Sequence, residues 1–489
     1  MTKVQKLSSV FFIIIFVFQF IVYPSQILAQ DKASKIDEYM TKIFENRQFN
    51  GSVLVAENGK VIYKKGFGYA NMDWKIPNEP DTKFRIGSIT KQFVAMQIMQ
   101  LVEEGKIKLD GKLIDYLPEY RKDTGEKITI HHLLTHTSGI PSYTGLPRFW
   151  SDSTRNPYEI DYMVKHFHSG DLEFEPGTDY KYNNTGYFLL GVIIEKVTGK
   201  SYKENLLERI IKPQNMKNSG VERNVEILEN KANGYYTQLT GYVNEPYFYM
   251  VNAFGAGDMY STVEDLYLWD QALYTERLLT EKYKKIMFTP FLKNYAYGWS
   301  VFKVALGEST DSVRVISHSG GINGFNTRIF RLVKDKHLIV LLNNTGSINH
   351  LEMCKMITNI LYDKTYKVPK ISLVQTLGKI VLKDDVKTAI KQYHDLKATN
   401  YNEYNFEESE LNTLGYQLLR MKKVKEAIEI FKLNVEEYPE AFNPYDSLGE
   451  GYMVDGKKEL AIKYYAKSLE LNPKNTNAII MLDRIYKSK

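Results

Sequence analysis

Near its C-terminus the sequence repeats itself at one fixed offset. Leu414-Gly415 recurs as Leu448-Gly449, Ala427-Ile428 as Ala461-Ile462, Phe431 as Tyr465 and Pro439 as Pro473, each 34 residues on. A period of this length belongs to helix–turn–helix units, in which small residues let two helices approach closely and proline ends the second. Such a unit cannot bury its apolar face alone, so about three must stack before a continuous core forms. Clear units fill residues 406–489, and the helical pattern from Leu377 to Leu396 supplies a degenerate first one within a linker region over 366–405.

These residues resemble tetratricopeptide repeats. The resemblance implies either a groove for a protein partner or a packing module, and so short an array favours the module. The whole chain has 489 residues, room for about three domains by ordinary domain sizes. Its charges are mixed in sign and sum to +6, too little for a nucleic-acid footprint. A lone Cys354 excludes an intramolecular disulfide and any cysteine-built zinc or iron–sulfur site. No H-E-x-x-H, P-loop or dinucleotide fingerprint occurs, so the expectation is no metal and no cofactor.

At the other end, Lys3 and Lys6 precede an apolar run from Val10 to Tyr23 and a small-residue region before Ala29, with no acid before Asp31. That is the order of a secretory signal. The run is shorter than the about 20 residues that span a bilayer. The expectation is a signal peptide over residues 1–29 and an exported chain, periplasmic or extracellular. Bulky Ile27 near the cut leaves an uncleaved membrane anchor through residues 10–23 as the alternative.

Residues 30–365 form the remaining domain. It opens with helical spacing at Ile36, Met40, Ile43 and Phe44, then alternating runs at Ser52–Val55 and Val61–Tyr63 around Asn58-Gly59, which predicts a helix and a hairpin. It closes with β-rich runs from Thr327 to Val333 and His337 to Leu342, then a helix near His350 to Tyr362. Strands at both ends of a helix-rich middle predict an α+β fold, one mixed sheet flanked by helices.

The phrase Phe84-Arg85-Ile86-Gly87-Ser88-Ile89-Thr90-Lys91 leads into a helix whose apolar positions run to Val102 and which Gly105 can end. Ser88 and Lys91, three apart at its start, stand on one face. A serine hydroxyl needs a base to become a nucleophile, and a lysine whose pKa is lowered by burial can serve. The helix start also offers N–H groups to a developing oxyanion. About two Ser-x-x-Lys pairs are expected by chance in a chain of this length. The other one, Ser300 and Lys303, follows Tyr297-Gly298-Trp299 in an alternating strand-like run, where residues three apart face opposite ways.

Tyr182-Asn183-Asn184 follows the turn Glu175-Pro176-Gly177, so that Tyr182 and Asn184 would project together. A phenol beside an ammonium ionises more easily and relays protons, and an amide can bind a substrate carbonyl and a lysine. Tyr242-Val243-Asn244 is a competing match without the turn. His318-Ser319-Gly320-Gly321 follows a strand-like Val313 to Ile316. Glycines there let a substrate backbone approach, and an N–H can complete an oxyanion hole.

Taken in order, Ser88/Lys91, Tyr182/Asn184 and His318/Gly320 resemble the three motifs of penicillin-recognising serine hydrolases, closest to the class C β-lactamase and D-alanyl-D-alanine carboxypeptidase group. Thr82-Lys83 before the first motif, the phrase from Ile130 through Leu134-Thr135-His136-Thr137-Ser138-Gly139, and Gly186-Tyr187 with Leu190-Gly191 add to it. The resemblance implies a β-lactamase/DD-peptidase-like mixed sheet with an all-helical second part. It also implies an acyl-enzyme on Ser88, with Lys91 and Tyr182 sharing proton transfer. Asn184, His318, Gly320 and Gly321 then bind substrate: a D-Ala peptide, a small ester or a β-lactam. His136 reads as scaffold. The third motif departs from the Lys-Thr-Gly of typical β-lactamases, which weakens recognition of a carboxylate. The rival reading is a non-catalytic sensor or scaffold that uses its helical repeats to bind a partner, but such derivatives commonly lose the serine or lysine, and this chain keeps both.

Overall fold

A computed structural model describes residues 31–147, 149–346 and 349–487, with backbone alone at 151 and 152. The expected signal segment, residues 1–29, lies outside the described residues. No helix among the described residues is long and apolar enough to cross a membrane. The chain divides into two units, one of Met1–Tyr236 with Asn244–Lys367 and one of Thr237–Val243 with Val368–Lys489.

The first unit starts with a helix, α1, over residues 31–45. A hairpin of β1 (Gly51–Glu57) and β2 (Lys60–Phe67) follows. Its turn residues Asn58 and Gly59 both have positive φ, 52° and 76°, the geometry that matches strand twist in a two-residue hairpin. Further on come α2 (Thr90–Glu103), α3 (Asn184–Thr198) and α4 (Val263–Ala272), then β3 (Ser300–Ala305), β4 (Ser312–Ile322), β5 (Phe325–Leu332), β6 (His337–Asn343) and α5 (His350–Leu361).

The sheet runs β3-β4-β5-β6-β1-β2, so the N-terminal hairpin completes a C-terminal meander. This is the expected α+β fold, a sheet flanked by helices. Within the large sheet every pairing is antiparallel where a mixed ladder was expected. The reason is connectivity: strands joined by short hairpins need no crossover helix. Among the described residues, parallel pairing joins Ile371-Ser372 to Tyr404-Asn405 and occurs in the bridge Lys83–Lys231.

Alternation along the strands divides the core. Val53, Val55, Ile339 and Leu341 face α1 and α5, packing on Ile36, Met40, Cys354 and Ile357. Leu54, Ala56, Leu338 and Val340 face the helical middle, with Phe93, Met96 and Trp269. One ion pair is sunk in that second layer: Arg331 Nε of β5 donates to Asp270 of α4 at 2.6 Å, both side chains essentially without exposure. Asp270→Ala strands the guanidinium and is expected to cost about 3–5 kcal/mol, read as a lowered denaturation midpoint at unchanged slope.

The second unit is helical: α6 (Leu373–Lys383), α7 (Val386–Thr399), α8 (Glu408–Arg420), α9 (Val424–Glu437), α10 (Phe442–Val454), α11 (Lys458–Leu471) and α12 (Thr476–Lys487). The 34-residue offset reappears as a contact. A Cβ on Gly415 would stand 2.3 Å from the Phe431 ring, and one on Gly449 would stand 3.0 Å from that of Tyr465. Ala427 and Ala461 are both fully buried at corresponding positions. The segment Thr237–Val243, which the sequence places inside 30–365, groups here instead. Leu239 joins Leu373 and Leu377 in this core, and a Cβ on Gly378 would fall 2.3 Å from it.

Candidate active site

Three elements bring the first motif into place. Phe84–Arg85 pairs with Met259–Ser261, which pairs in turn with Gly220–Val221. Arg85 is buried and held on both sides: Nε and Nη2 donate to the two oxygens of Glu222 at 2.9 Å each, and Nη1 to Glu245 at 2.7 Å. Such a fork fixes position as well as charge. The chain then turns through Gly87–Ile89 in a single 3-10 turn and enters α2. Gly87 sits at φ +51°, and a Cβ there would stand 2.8 Å from the Gly321 nitrogen. Gly320 is tighter still, because a Cβ on it would overlap the Ile86 carbonyl at 1.9 Å. The glycines of the first and third motifs therefore let the Ser88 turn press against β4.

Pairing between β3 and β4 stops at Ser300–Ser317. Beyond it, residues 318–322 of β4 pair only with β5 among the described residues, leaving their other edge toward the Ser88 turn. Nothing lies within 4 Å of the point where a Gly321 Cβ would stand.

Lys91 is fully buried in the first turn of α2, with Nζ 2.9 Å from Ser88 Oγ, 2.8 Å from Asn184 Oδ1 and 2.7 Å from the Ala256 carbonyl. Burial holds its pKa well below the ordinary lysine value. The partners decide how a neutral amine is arranged. Asn184 Oδ1 and the Ala256 carbonyl can only accept, so they take its two protons. The lone pair is left facing Ser88 Oγ, the arrangement a general base requires.

Tyr182 and Asn184 come to the same point. Lys91 Nζ lies 5.1 Å from the Tyr182 ring centre, and Ser88 is the polar neighbour that acts on the Tyr182 hydroxyl. Tyr182 is 38% exposed as a residue. Burial raises the phenol pKa, against a smaller opposing effect of Ser88. Desolvation thus favours the neutral amine at Lys91 and keeps the phenol protonated, so it is the expected ionisation of Tyr182 by a neighbouring ammonium that the structure does not support. Tyr182→Phe keeps the ring and removes the relay proton, and is expected to lower kcat about 10²–10³-fold with KM little changed, checked on any turned-over ester.

Asn184 is oriented by its second contact, Nδ2 donating to Thr144 Oγ1 at 2.9 Å. Its neighbour Asn183 caps α3 by accepting from the Gly186 N–H at 2.9 Å, and donates its own N–H to His136 Nδ1 at 3.1 Å. His136, at φ +59° and buried, lies with its ring centre 4.3 Å from that of Tyr182, the two rings tilted by 45°. It works as the scaffold reading expects, holding the loop that carries Tyr182 and Asn184.

His318 lies at the start of the open β4 edge, its ring 6.1 Å from that of Tyr182. Nδ1 meets the Ser319 carbonyl at 2.6 Å and therefore carries the proton, while Nε2 accepts from the Tyr295 hydroxyl at 2.9 Å. Burial, reinforced by Lys91, pushes its pKa down to about 3.

The competing matches go elsewhere. Ser300 and Lys303 lie on β3, on opposite faces as alternation demands. Tyr242 falls in the segment that groups with the helical unit. The sequence reading missed Tyr295, Thr144 and the Ala256 carbonyl. The last has a local signature, since Gly255-Ala256-Gly257 forms a turn in which Ala256 and Gly257 donate to the Ala253 carbonyl and Gly255 has φ +63°. No group of three His, Cys, Asp or Glu side chains among the described residues is placed to hold a metal.

The Beta-lactamase family model matches residues 33–353, about two thirds of the chain and the whole stretch that builds this geometry. The protein is a member of the Beta-lactamase family. Relatives of this serine hydrolase family include Penicillin-binding protein 4* of Bacillus subtilis (strain 168), 32% identical over 370 residues that cover 70% of this chain and 79% of that one. Among solved structures, an octameric penicillin-binding protein homologue from Pyrococcus abyssi superposes with a TM-score of 0.60 at 29% identity, covering 71% of this chain and 81% of that chain. A D-amino acid amidase from Ochrobactrum anthropi complexed with L-phenylalanine amide follows at a TM-score of 0.57 and 26% identity, covering 69% and 98%.

Proposed function

We propose that this chain hydrolyses amide or ester bonds through an acyl-enzyme on Ser88. The observation that carries the reading is the Lys91 amine, neutralised by burial, with its lone pair directed at Ser88 Oγ 2.9 Å away. In the first step Ser88 Oγ bonds to the substrate carbonyl carbon as its proton passes to Lys91 Nζ. The N–H groups of Ser88 and Gly321 face the oxyanion that forms. Collapse breaks the bond to the leaving nitrogen or oxygen, which takes a proton relayed through Tyr182. Water then attacks the ester by the same route in reverse, returning the proton to Ser88. Asn184 anchors both Lys91 and the substrate amide.

The substrates in view are D-Ala peptides and small esters or β-lactams, and the amidase likeness supports an uncharged amide. Labelling with a fluorescent fluorophosphonate, followed by peptide mapping, tests the nucleophile. A panel of nitrocefin, a D-Ala-D-Ala peptide and a p-nitrophenyl ester sorts the chemistry. No label on Ser88 and no turnover of the panel would overturn the reading in favour of a non-catalytic sensor or scaffold. The repeated Gly415–Phe431 and Gly449–Tyr465 contact supports a tetratricopeptide-like array in the second unit. The signal-like residues 1–29 support export.

A further inference from the structure

The edge of β4 that borders Ser88 carries no cation. From Val315 to Thr327 the sequence contains neither lysine nor arginine. His318 is the titratable group on that edge, and both of its nitrogens are spent, Nδ1–H on the Ser319 carbonyl and Nε2 on the Tyr295 hydroxyl. Among the described residues, the nearby guanidiniums are turned away or already paired. Arg85 is forked between Glu222 and Glu245. Arg328, opposite Ser319 in the ladder, alternates with Ile329 and so lies on the face of Phe330, where it reaches Ser317 Oγ at 3.2 Å. Ser317 and Ser319 share that far face, while His318 and Gly320 lie on the side of Ser88. Lys91, the remaining base, gives its protons to Asn184 and Ala256.

A carboxylate brought into such a cleft would lose its water and gain no counter-charge, a loss that neutral amides and esters avoid. We propose, resting on the Ser88 acyl-enzyme reading, that the cleft selects neutral amide and ester substrates and discriminates against those ending in a free carboxylate. His318 is the specificity-determining residue: it closes the edge with an uncharged, hydrogen-bonded ring.

The test compares N-acetyl-D-alanyl-D-alanine with its C-terminal amide, two peptides that share one scissile bond and differ by one charge. The amide is expected to show a kcat/KM about tenfold or more above the acid. Protection of Ser88 from fluorophosphonate labelling gives the same comparison without turnover, the amide protecting at about tenfold lower concentration. His318→Lys places an ammonium on the edge and is expected to shift the ratio toward the acid at least fivefold, with retained Ser88 labelling reporting an intact fold. Parity, a preference for the acid, or no protection by either peptide overturns the proposal. Absence of Ser88 labelling in the unaltered protein would instead sink the acyl-enzyme reading itself.

Discussion

Ser88→Ala is expected to lower hydrolysis by about 10⁴-fold or more and to abolish covalent labelling. The size follows from the arrangement. Lys91, Tyr182 and Asn184 all act through the Ser88 oxygen, so its removal leaves the remaining groups nothing to activate. Effects within such a unit are not additive, and Ser88→Ala combined with Tyr182→Phe is expected to lose little more than Ser88→Ala alone. The helix start and the β4 edge remain, so binding survives and the loss falls on kcat. A labelled Ser88→Ala protein would place the nucleophile elsewhere.

Lys91→Met should lose about 10³-fold, and the unaltered enzyme should show why in its pH profile. Lys91 titrates well below the ordinary lysine value because burial penalises its charge. Only the neutral amine can take the Ser88 proton, so kcat/KM should fall tenfold per pH unit once pH drops below that lowered pKa. His318, pushed down to about 3, is not the origin of a limb near neutrality. Stability follows with the same sign. Between the lowered folded pKa and the unfolded value near 10.4, the unfolded chain binds more protons at this site, so its contribution to unfolding free energy rises with pH and shrinks on acidification. A profile in which Lys91→Met leaves the acid limb in place would refute the assignment.

What could be read from the sequence was what spacing controls. Three-residue spacing at a helix start put Ser88 beside Lys91, and the same spacing on a strand separated Ser300 from Lys303. Alternation and the Asn58-Gly59 turn gave the hairpin that joins β6 of the distant meander. The apolar run along the helix of Lys91 already pointed to a desolvated amine. The protonation state of Tyr182 was hidden because it depends on depth and partners, which no local pattern around Tyr182 shows. The Ala256 carbonyl was hidden for another reason: every residue has one, and only the turn around Gly255 aims it. Tyr295 reaches His318 across 23 positions, beyond any local pattern.

The small loop Thr237–Val243 makes the helical unit discontinuous along the chain. Its core residue Leu239 is synthesised well before Leu373 and Leu377, which it joins. The helical unit is therefore not a cassette that recombination can cut out at Val368 and splice to another protein, because that cut leaves one core residue behind. Inheritance of residues 368–489 is tied to a seven-residue stretch more than a hundred positions upstream, and an insertion or deletion there would be felt first in the helical unit.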